Sequence, residues 1–150
     1  MSMLSTMLGA FFGALFGYWF ALYQQKQEWH ARRGMLLNLL REELNFIGRK
    51  LPSYDVGKAI YRDPIRLCAP SRLLDGQALT FLADGSLIAL LLKLQVAVSK
   101  HNDFVQVTNL AQASSAVPDH AHEQWYNEIS LHHQAVVAVR DQLLGFISKV

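Results

Sequence analysis

Histidine is the residue type in this sequence best suited to chemistry near neutral pH, because its imidazole titrates there and binds metals. His101 and His132 each fall on the apolar stripe of a long predicted helix, so the two rings could meet in the core. Such a pair is a weak candidate for a pair of metal ligands or for a proton-sensitive switch. The alternative is two neutral, hydrogen-bonded histidines at the edge of the core. This structural role is the one that we expect.

A second group of potential metal ligands surrounds the start of the last predicted helix. The group comprises His120, His122, Glu123, Glu128, His132 and His133. Zinc enzymes use spacings such as His-Glu-x-x-His, and di-iron bundles use Glu-x-x-His on facing helices. Neither spacing occurs, since Glu128 and His132 are four residues apart and the bundle-facing stretch of the first helix, residues 37–51, offers only Glu42 and Glu43. We therefore predict no metal and no cofactor.

Motifs for nucleophilic catalysis and nucleotide binding are missing from the sequence. There is no Gly-x-Ser-x-Gly elbow, no Gly-x-x-x-x-Gly-Lys loop and no Gly-x-Gly-x-x-Gly turn. The single cysteine, Cys68, lies in a proline-flanked segment without a histidine nearby in sequence, and it cannot form an internal disulfide. We expect a protein that is not an enzyme.

Positive charge is concentrated in the first half of the polar part. Residues 24–72 contain ten Lys or Arg against five Asp or Glu, whereas residues 73–150 contain four against seven. A basic segment beside a membrane can contact phosphate or lipid headgroups, although it is more often a solvated surface. Nucleic-acid binding, which needs a denser basic face, is not expected. The candidate lipid or phosphate contacts are Lys26, Arg32, Arg33, Arg49, Lys50, Arg62 and Arg66.

The segment Met3–Tyr23 contains no charged residue and no Asn, Gln or His. A helix of this length spans roughly 30 Å, which is the thickness of a bilayer's hydrocarbon core. A buried core helix is the alternative, but such helices usually carry a polar face. A cleaved signal peptide would have a charged start and a shorter apolar core. The sequence therefore predicts a transmembrane anchor over residues 1–23.

Small residues recur every four positions within this anchor. They are Ser5, Gly9, Gly13, Gly17 and Ala21. Small side chains at this spacing let two helix backbones approach closely in lipid, so we expect a homo-oligomer formed through the span. Two alternatives remain: a lipid-facing helix whose glycines reflect ordinary membrane composition, and an oligomeric pore.

The charges that follow the span predict its orientation. Lys26, Arg32 and Arg33 come directly after it, and positive charge favours the cytoplasmic side of a membrane. We therefore expect a single-pass protein of the inner (plasma) membrane. Its amino terminus would lie outside and residues 24–150 would lie in the cytoplasm.

Three apolar stripes with alternating spacings of three and four residues predict the helices of the cytoplasmic part. The first stripe is Leu37, Leu40, Leu44, Ile47 and Leu51. The second is Leu87, Leu91, Leu94, Val98, His101, Val105 and Thr108. The third is Trp125, Ile129, His132, Val136, Val139, Leu143 and Phe146. Each stripe would supply one side of a shared core.

Proline and glycine predict where these helices end. A stalk helix over residues 24–51 stops before Pro52. The connector, residues 52–85, holds a possible hairpin at 59–67, a short helix from Ser71 to about Ala83, and a turn with a helix cap at 84–86. Two long helices, 86–113 and 119–148, are separated by a break at 116–118 and form a helical hairpin over 86–150.

The predicted fold class is all-α, with a single N-terminal transmembrane helix that continues into a cytosolic antiparallel helical hairpin or bundle. This layout is similar to that of small bacterial inner-membrane proteins. The expected function is that of a self-associating membrane protein whose cytosolic body binds a protein or small ligand. The layout is also similar to that of some anti-phage membrane effectors, which implies a signal-gated, membrane-perturbing effector as the alternative.

Overall fold

The computed structural model describes residues 3–48, 51, 62–76, 78–114 and 119–149. These residues form four helices and no strand, which confirms the all-α prediction. The helices are α1 (Met3–Phe46), α2 (Ala69–Asp75), α3 (Phe81–Ser114) and α4 (Asp119–Ile147). The predicted break at 116–118 lies outside the described residues.

The contacts within the chain divide it into two units, Met1–Met35 and Leu36–Val150. Helix α1 contributes its first part to one unit and its last part to the other. In the first unit, none of the side chains described over residues 7–35 is buried. The second unit holds the hydrophobic core.

The last part of α1 enters the core through the predicted stripe. Leu40, Leu44 and Ile47 are buried, and the neighbouring Leu36 is buried while Leu37 is only partly so. The helix ends at Phe46, five residues before the predicted end at residue 51. Side chains of α4 bind the carbonyls of Ile47 and Gly48, which directly follow this end.

The connector differs from its prediction. Residues 62–68 have no regular secondary structure, so no strand of the proposed hairpin occurs there, and residues 59–61 lie outside the described part. Helix α2 starts at Ala69, two residues before the predicted Ser71, and is only seven residues long. The Glu43 carboxylate of α1 accepts hydrogen bonds from the backbone N–H groups of Cys68 (3.0 Å) and Ala69 (2.9 Å). This carboxylate satisfies donors that the start of α2 leaves unpaired.

The predicted turn at 84–86 is wrong, because α3 already begins at Phe81. Thr80 precedes the helix and donates its backbone N–H to Asp84 Oδ2 at 2.9 Å. The backbone N–H of Asp84 in turn donates to the Thr80 carbonyl at 2.8 Å. Asp84 therefore does cap a helix, but from inside its first turn and not from its boundary.

All seven residues of the predicted α3 stripe are buried, so this prediction is confirmed. In α4 the predicted stripe is correct at Ile129, Val136 and Leu143, which are buried. At three other positions, the buried residue is the one after the residue that was predicted. The residues that are buried there are His133, Arg140 and Ile147, whereas His132, Val139 and Phe146 are half-buried. The periodicity argument favoured apolar residues. His133 and Arg140 are nevertheless buried, and they hydrogen-bond to the carbonyls of Gly48 and Ile47, which follow α1.

Helix α3 packs along α4. Val105 of α3 and Ile129 of α4 form a small apolar cluster with half-buried Leu51 and Tyr126 at its edge. The larger cluster contains residues from the first half of α3 and the second half of α4, together with the stripe of α1 and residues of α2.

Candidate functional site

The two imidazoles that meet in the core are those of His101 and His133. Their ring centroids are 5.6 Å apart, and the residues are 2% and 7% exposed. His132, the partner that the sequence suggested, stacks at 5.6 Å against Phe104. The sequence analysis placed His133 among the potential metal ligands but not in this pair, because the predicted stripe of α4 ran through His132.

One ring of this pair hydrogen-bonds a backbone carbonyl beyond the end of α1. His133 Nε2 lies 2.7 Å from the carbonyl oxygen of Gly48 and therefore donates its proton to it. The Nδ1 atoms of His101 and His133 are buried without a hydrogen-bond partner. Burial, followed by the charges of His133 and His132, lowers the pKa of His101 from 6.5 to about 4. At neutral pH His101 is therefore uncharged.

The other potential metal ligands do not converge in the structure. Within the part of the chain that the structure describes, no three His, Cys, Asp or Glu side chains lie close enough to hold a metal ion together. His122 stacks on Trp125 at 5.8 Å, and Glu123 and Glu128 are exposed. The side chain of His120 lies outside the described residues.

Two arginines connect the ends of α1 and α4. Arg140 is only 3% exposed, and its guanidinium donates to the Ile47 carbonyl and, at 2.7 and 2.9 Å, to Asp141 Oδ1. Arg41 of α1 donates to the Ile147 carbonyl at the end of α4, at 3.4 Å. Each helix thus supplies a cation near the negative end of the other. Sequence periodicity could not predict this link, since neither residue belongs to an apolar stripe.

Two asparagines of α3 hold the backbone of the connector. Asn102 accepts from the N–H of Ile65 (2.7 Å) and donates to its carbonyl (2.8 Å). Asn109 accepts from the N–H of Arg62 (3.3 Å) and donates to its carbonyl (2.8 Å). We call this pair the asparagine clamps. The one sequence signal that could have found them is the occurrence of two asparagines seven residues apart on one helix face.

Two cavities flank the clamped segment along α3. The first has a volume of about 430 Å³ and is lined by Ile65, Leu67, Gln95, Val98 and Asn102 among others. The second, of about 300 Å³, is lined by Pro64, Asn102, Val105, Gln106, Asn109 and Leu110. Asn102 borders both cavities. The exposed Cys68 lies on the rim of the first.

The residues predicted to contact lipid or phosphate occur in different settings. In the first unit, Lys26 and Arg32 are exposed, and the Arg33 guanidinium lies 5.4 Å from the centroid of the Trp29 ring, a cation–π distance. In the second unit, Arg62 is half-buried at its clamp and Arg66 lines the larger cavity. Arg49 and Lys50 lie outside the described residues.

The small residues of the predicted anchor all belong to α1. A Cβ atom added at Gly9, Gly13 or Gly17 would meet nothing within 4 Å. Ala21 is exposed, and the side chain of Ser5 is not described. Among the described residues, none therefore covers the glycine positions of this stripe.

One of the described helices is long and apolar enough to cross a membrane, and it lies near the amino terminus. Its apolar window has no buried residue, which distinguishes it from the usual core helix of a soluble protein. Signal sequences share its length and composition. No protein-family model matches the chain, and no significant match to it was found among curated proteins or solved structures.

Proposed function

We propose that this protein is a single-pass membrane protein whose helical body binds a partner beside the membrane. The observation that carries the proposal is the exposure of large apolar side chains around the whole first part of α1. Eleven of them are exposed: Met7, Leu8, Phe11, Phe12, Leu15, Phe16, Tyr18, Trp19, Phe20, Leu22 and Tyr23.

Water is a poor environment for such a helix. Burying one large apolar side chain contributes about 1.5–3 kcal/mol, and soluble monomers rarely expose contiguous apolar patches beyond a few hundred Å². Eleven uncovered side chains therefore need a lipid bilayer or a large protein surface. A bilayer suits them best, because they face every direction around the helix while its backbone groups are satisfied internally.

The charges after the span support a cytoplasmic location for the body. Lys26 and Arg32 are exposed within the first turns after Tyr23, where positive charge is retained on the cytoplasmic side. The proposal thus places residues 24–150 at the inner surface of the plasma membrane. There Arg33 on Trp29 would lie at headgroup level, where both aromatic and basic side chains are favoured.

Self-association through the span is part of the same proposal. The open space at Gly9, Gly13 and Gly17 supports it, because a second helix backbone could approach closely along that face. The span would then determine both the location and the number of the bodies attached to it.

The body is proposed to be an antiparallel helical hairpin or bundle. Its support is the distribution of the two clusters: late α3 shares one with early α4, and early α3 shares the other with late α4. The outer side of the body offers exposed apolar residues for a partner. They are Leu92, Val96, Val107, Leu110 and Leu131.

Cell fractionation of matched double variants tests the anchor. Replacing Leu15 and Phe16 with arginine places two charges within the span, at a cost of about 2.5–3.5 kcal/mol each for residues at its centre. We expect the parent chain in the membrane pellet, extractable only by detergent, and this variant in the soluble or aggregated fraction. Replacing Leu92 and Val96 with arginine is the matched control, since Leu15 and Leu92 are 51% and 50% exposed.

The control variant should remain in the membrane pellet. If the parent chain is soluble without detergent, or if both double variants leave the membrane to the same extent, the anchor proposal is wrong.

A further inference from the structure

We propose that the face of α3 bearing Asn102 and Asn109 is a binding site for an extended segment of a partner protein. In the chain alone, its own residues 62–67 occupy this site. The inference rests on the proposed function, because it names the class of partner that the helical body would bind. It is carried by the asparagine clamps and by the two cavities beside them.

The asparagine clamps recognise backbone and not side chains. A carboxamide presents one acceptor and a donor group, which match the N–H and C=O of a single residue in an extended chain. Both groups of Asn102 are used on Ile65, at 2.7 and 2.8 Å, and both groups of Asn109 are used on Arg62. Any residue other than proline at the clamped positions can make the same pair of bonds.

The spacing of the clamps fits an extended peptide. Seven residues of helix rise about 10.5 Å between Asn102 and Asn109. Three residues of extended chain, from Arg62 to Ile65, span about 10 Å. The spacing of Asn102 and Asn109 on α3 thus matches that of the two backbone positions that they hold.

The chain's own segment fills this face incompletely. Within this segment Asp63, Pro64 and Arg66 are exposed. Arg62, Ile65 and Leu67 are only partly buried. The cavities of about 430 and 300 Å³ remain open on either side of Asn102. In recognition of extended peptides, backbone bonds give affinity and pockets for alternate side chains give specificity. A partner with larger apolar side chains would therefore use volume that residues 62–67 leave empty.

The segment in place also regulates access. Because it is tethered to the same chain, its effective concentration is of the order of millimolar, and a partner must compete with it. The apparent affinity for a partner is reduced to the extent that the segment is bound. Release of the segment should thus increase peptide binding.

A peptide-binding experiment on the full chain in detergent tests the proposal. The probe is a fluorescein-labelled peptide, Arg-Asp-Pro-Ile-Arg-Leu, the sequence of residues 62–67. Ile65→Pro removes the N–H that Asn102 accepts and should release the tethered segment. We expect the probe to bind this variant about tenfold more tightly than the parent, in line with relief of the competition.

Adding Asn102→Ala to Ile65→Pro should abolish that gain, whereas adding Asn127→Ala, an exposed asparagine of α4, should not. A second peptide with proline in place of its isoleucine should not bind. Equal binding to the Ile65→Pro chain with and without Asn102, or no binding to either, overturns the proposal.

Hydrogen exchange on the unsubstituted chain provides a test that does not depend on a variant folding. Excess unlabelled peptide should accelerate exchange of the Ile65 amide while amides within α3 keep their protection. Unchanged exchange at Ile65 under saturating peptide overturns the proposal. A chain that stays in the membrane pellet but fails this test refutes the peptide site alone, and a soluble chain that passes it refutes the anchor alone.

Discussion

The histidine pair shows what a single buried side chain contributes to this protein. His101 is almost fully buried, and His133 and His132, both of α4, add to the effect of burial in lowering its pKa. Its lowered pKa means that folding holds the ring neutral at pH values where an unfolded chain would begin to protonate it. The imidazole of His133 meanwhile ties α4 to Gly48.

We expect His101 to make the body sensitive to acid. The pKa of His101 is 6.5 when unfolded and about 4 when folded, so the unfolded state binds more protons between these values. The free energy of unfolding therefore has its full value above pH 6.5. It decreases as the pH falls towards 4, by at most about 1.4 kcal/mol per pH unit. Denaturant titrations across this range on the parent and on His101→Leu measure the effect.

His101→Leu should flatten the dependence on pH, and His30→Leu, an exposed histidine of α1, should leave it unchanged. A parent protein whose stability is constant between pH 6.5 and 4.5 would contradict the expectation.

At the scale of the elements, the fold depends on how helices hold one another's ends. Arg140 binds the carbonyl that follows α1, Arg41 binds the last carbonyl of α4, and Glu43 binds the first amides of α2. These contacts place polar side chains where helix termini leave backbone groups unpaired.

Arg140→Met should destabilise the body by about 2–4 kcal/mol, because it leaves the buried Ile47 carbonyl without its donor. Arg140→Lys should recover only part of this, since an ammonium lacks the planar fork of the guanidinium. Chemical denaturation of the full chain in detergent, followed by circular dichroism, measures both. Lys93→Met, on the exposed side of α3, is the control. A loss for Arg140→Met no larger than that of the control would show that the contact is unimportant.

The elements differ in how well the sequence predicts them. The stripe of α3 could be predicted because nearly every position is apolar and the spacing alternates regularly. In α4 the same reasoning chose Val139 over Arg140, since hydropathy contains no information about a carbonyl that arrives from another helix. At residues 84–86 local turn propensity pointed to a break, but the hydrogen bond between Asp84 and Thr80 keeps them helical.

The candidate site is harder to predict for the same physical reason. An asparagine clamp needs two partners that are far apart in sequence: Asn102 and Ile65 are separated by 37 residues. Hydrophobic periodicity describes each helix separately. It cannot show which distant backbone segment will hydrogen-bond to the polar residues of that helix. The apolar span is the opposite case, because its composition alone indicates the environment that it needs.

At the scale of the whole molecule, the single cysteine offers a direct test of orientation. Cys68 is the one thiol in the sequence, and it is exposed. If the body lies in the cytoplasm, a membrane-impermeant maleimide should fail to label intact cells. The same reagent should label Cys68 in inverted membrane vesicles.

A Cys68→Ser variant controls for labelling of other proteins, and a permeant maleimide confirms that the thiol is reactive in intact cells. Labelling of intact cells by the impermeant reagent would place the body on the outer side and reverse the proposed orientation.

The asparagine clamps have a consequence for the evolution of this chain. Because the clamps bond only to main-chain atoms, related sequences should keep Asn102 and Asn109 while the exposed, unclamped positions 63 and 66 vary. Proline should not occur at positions 62 and 65, because the backbone N–H groups of these residues donate to the asparagine clamps. Proline is tolerated at position 64, which lies between the two clamped residues.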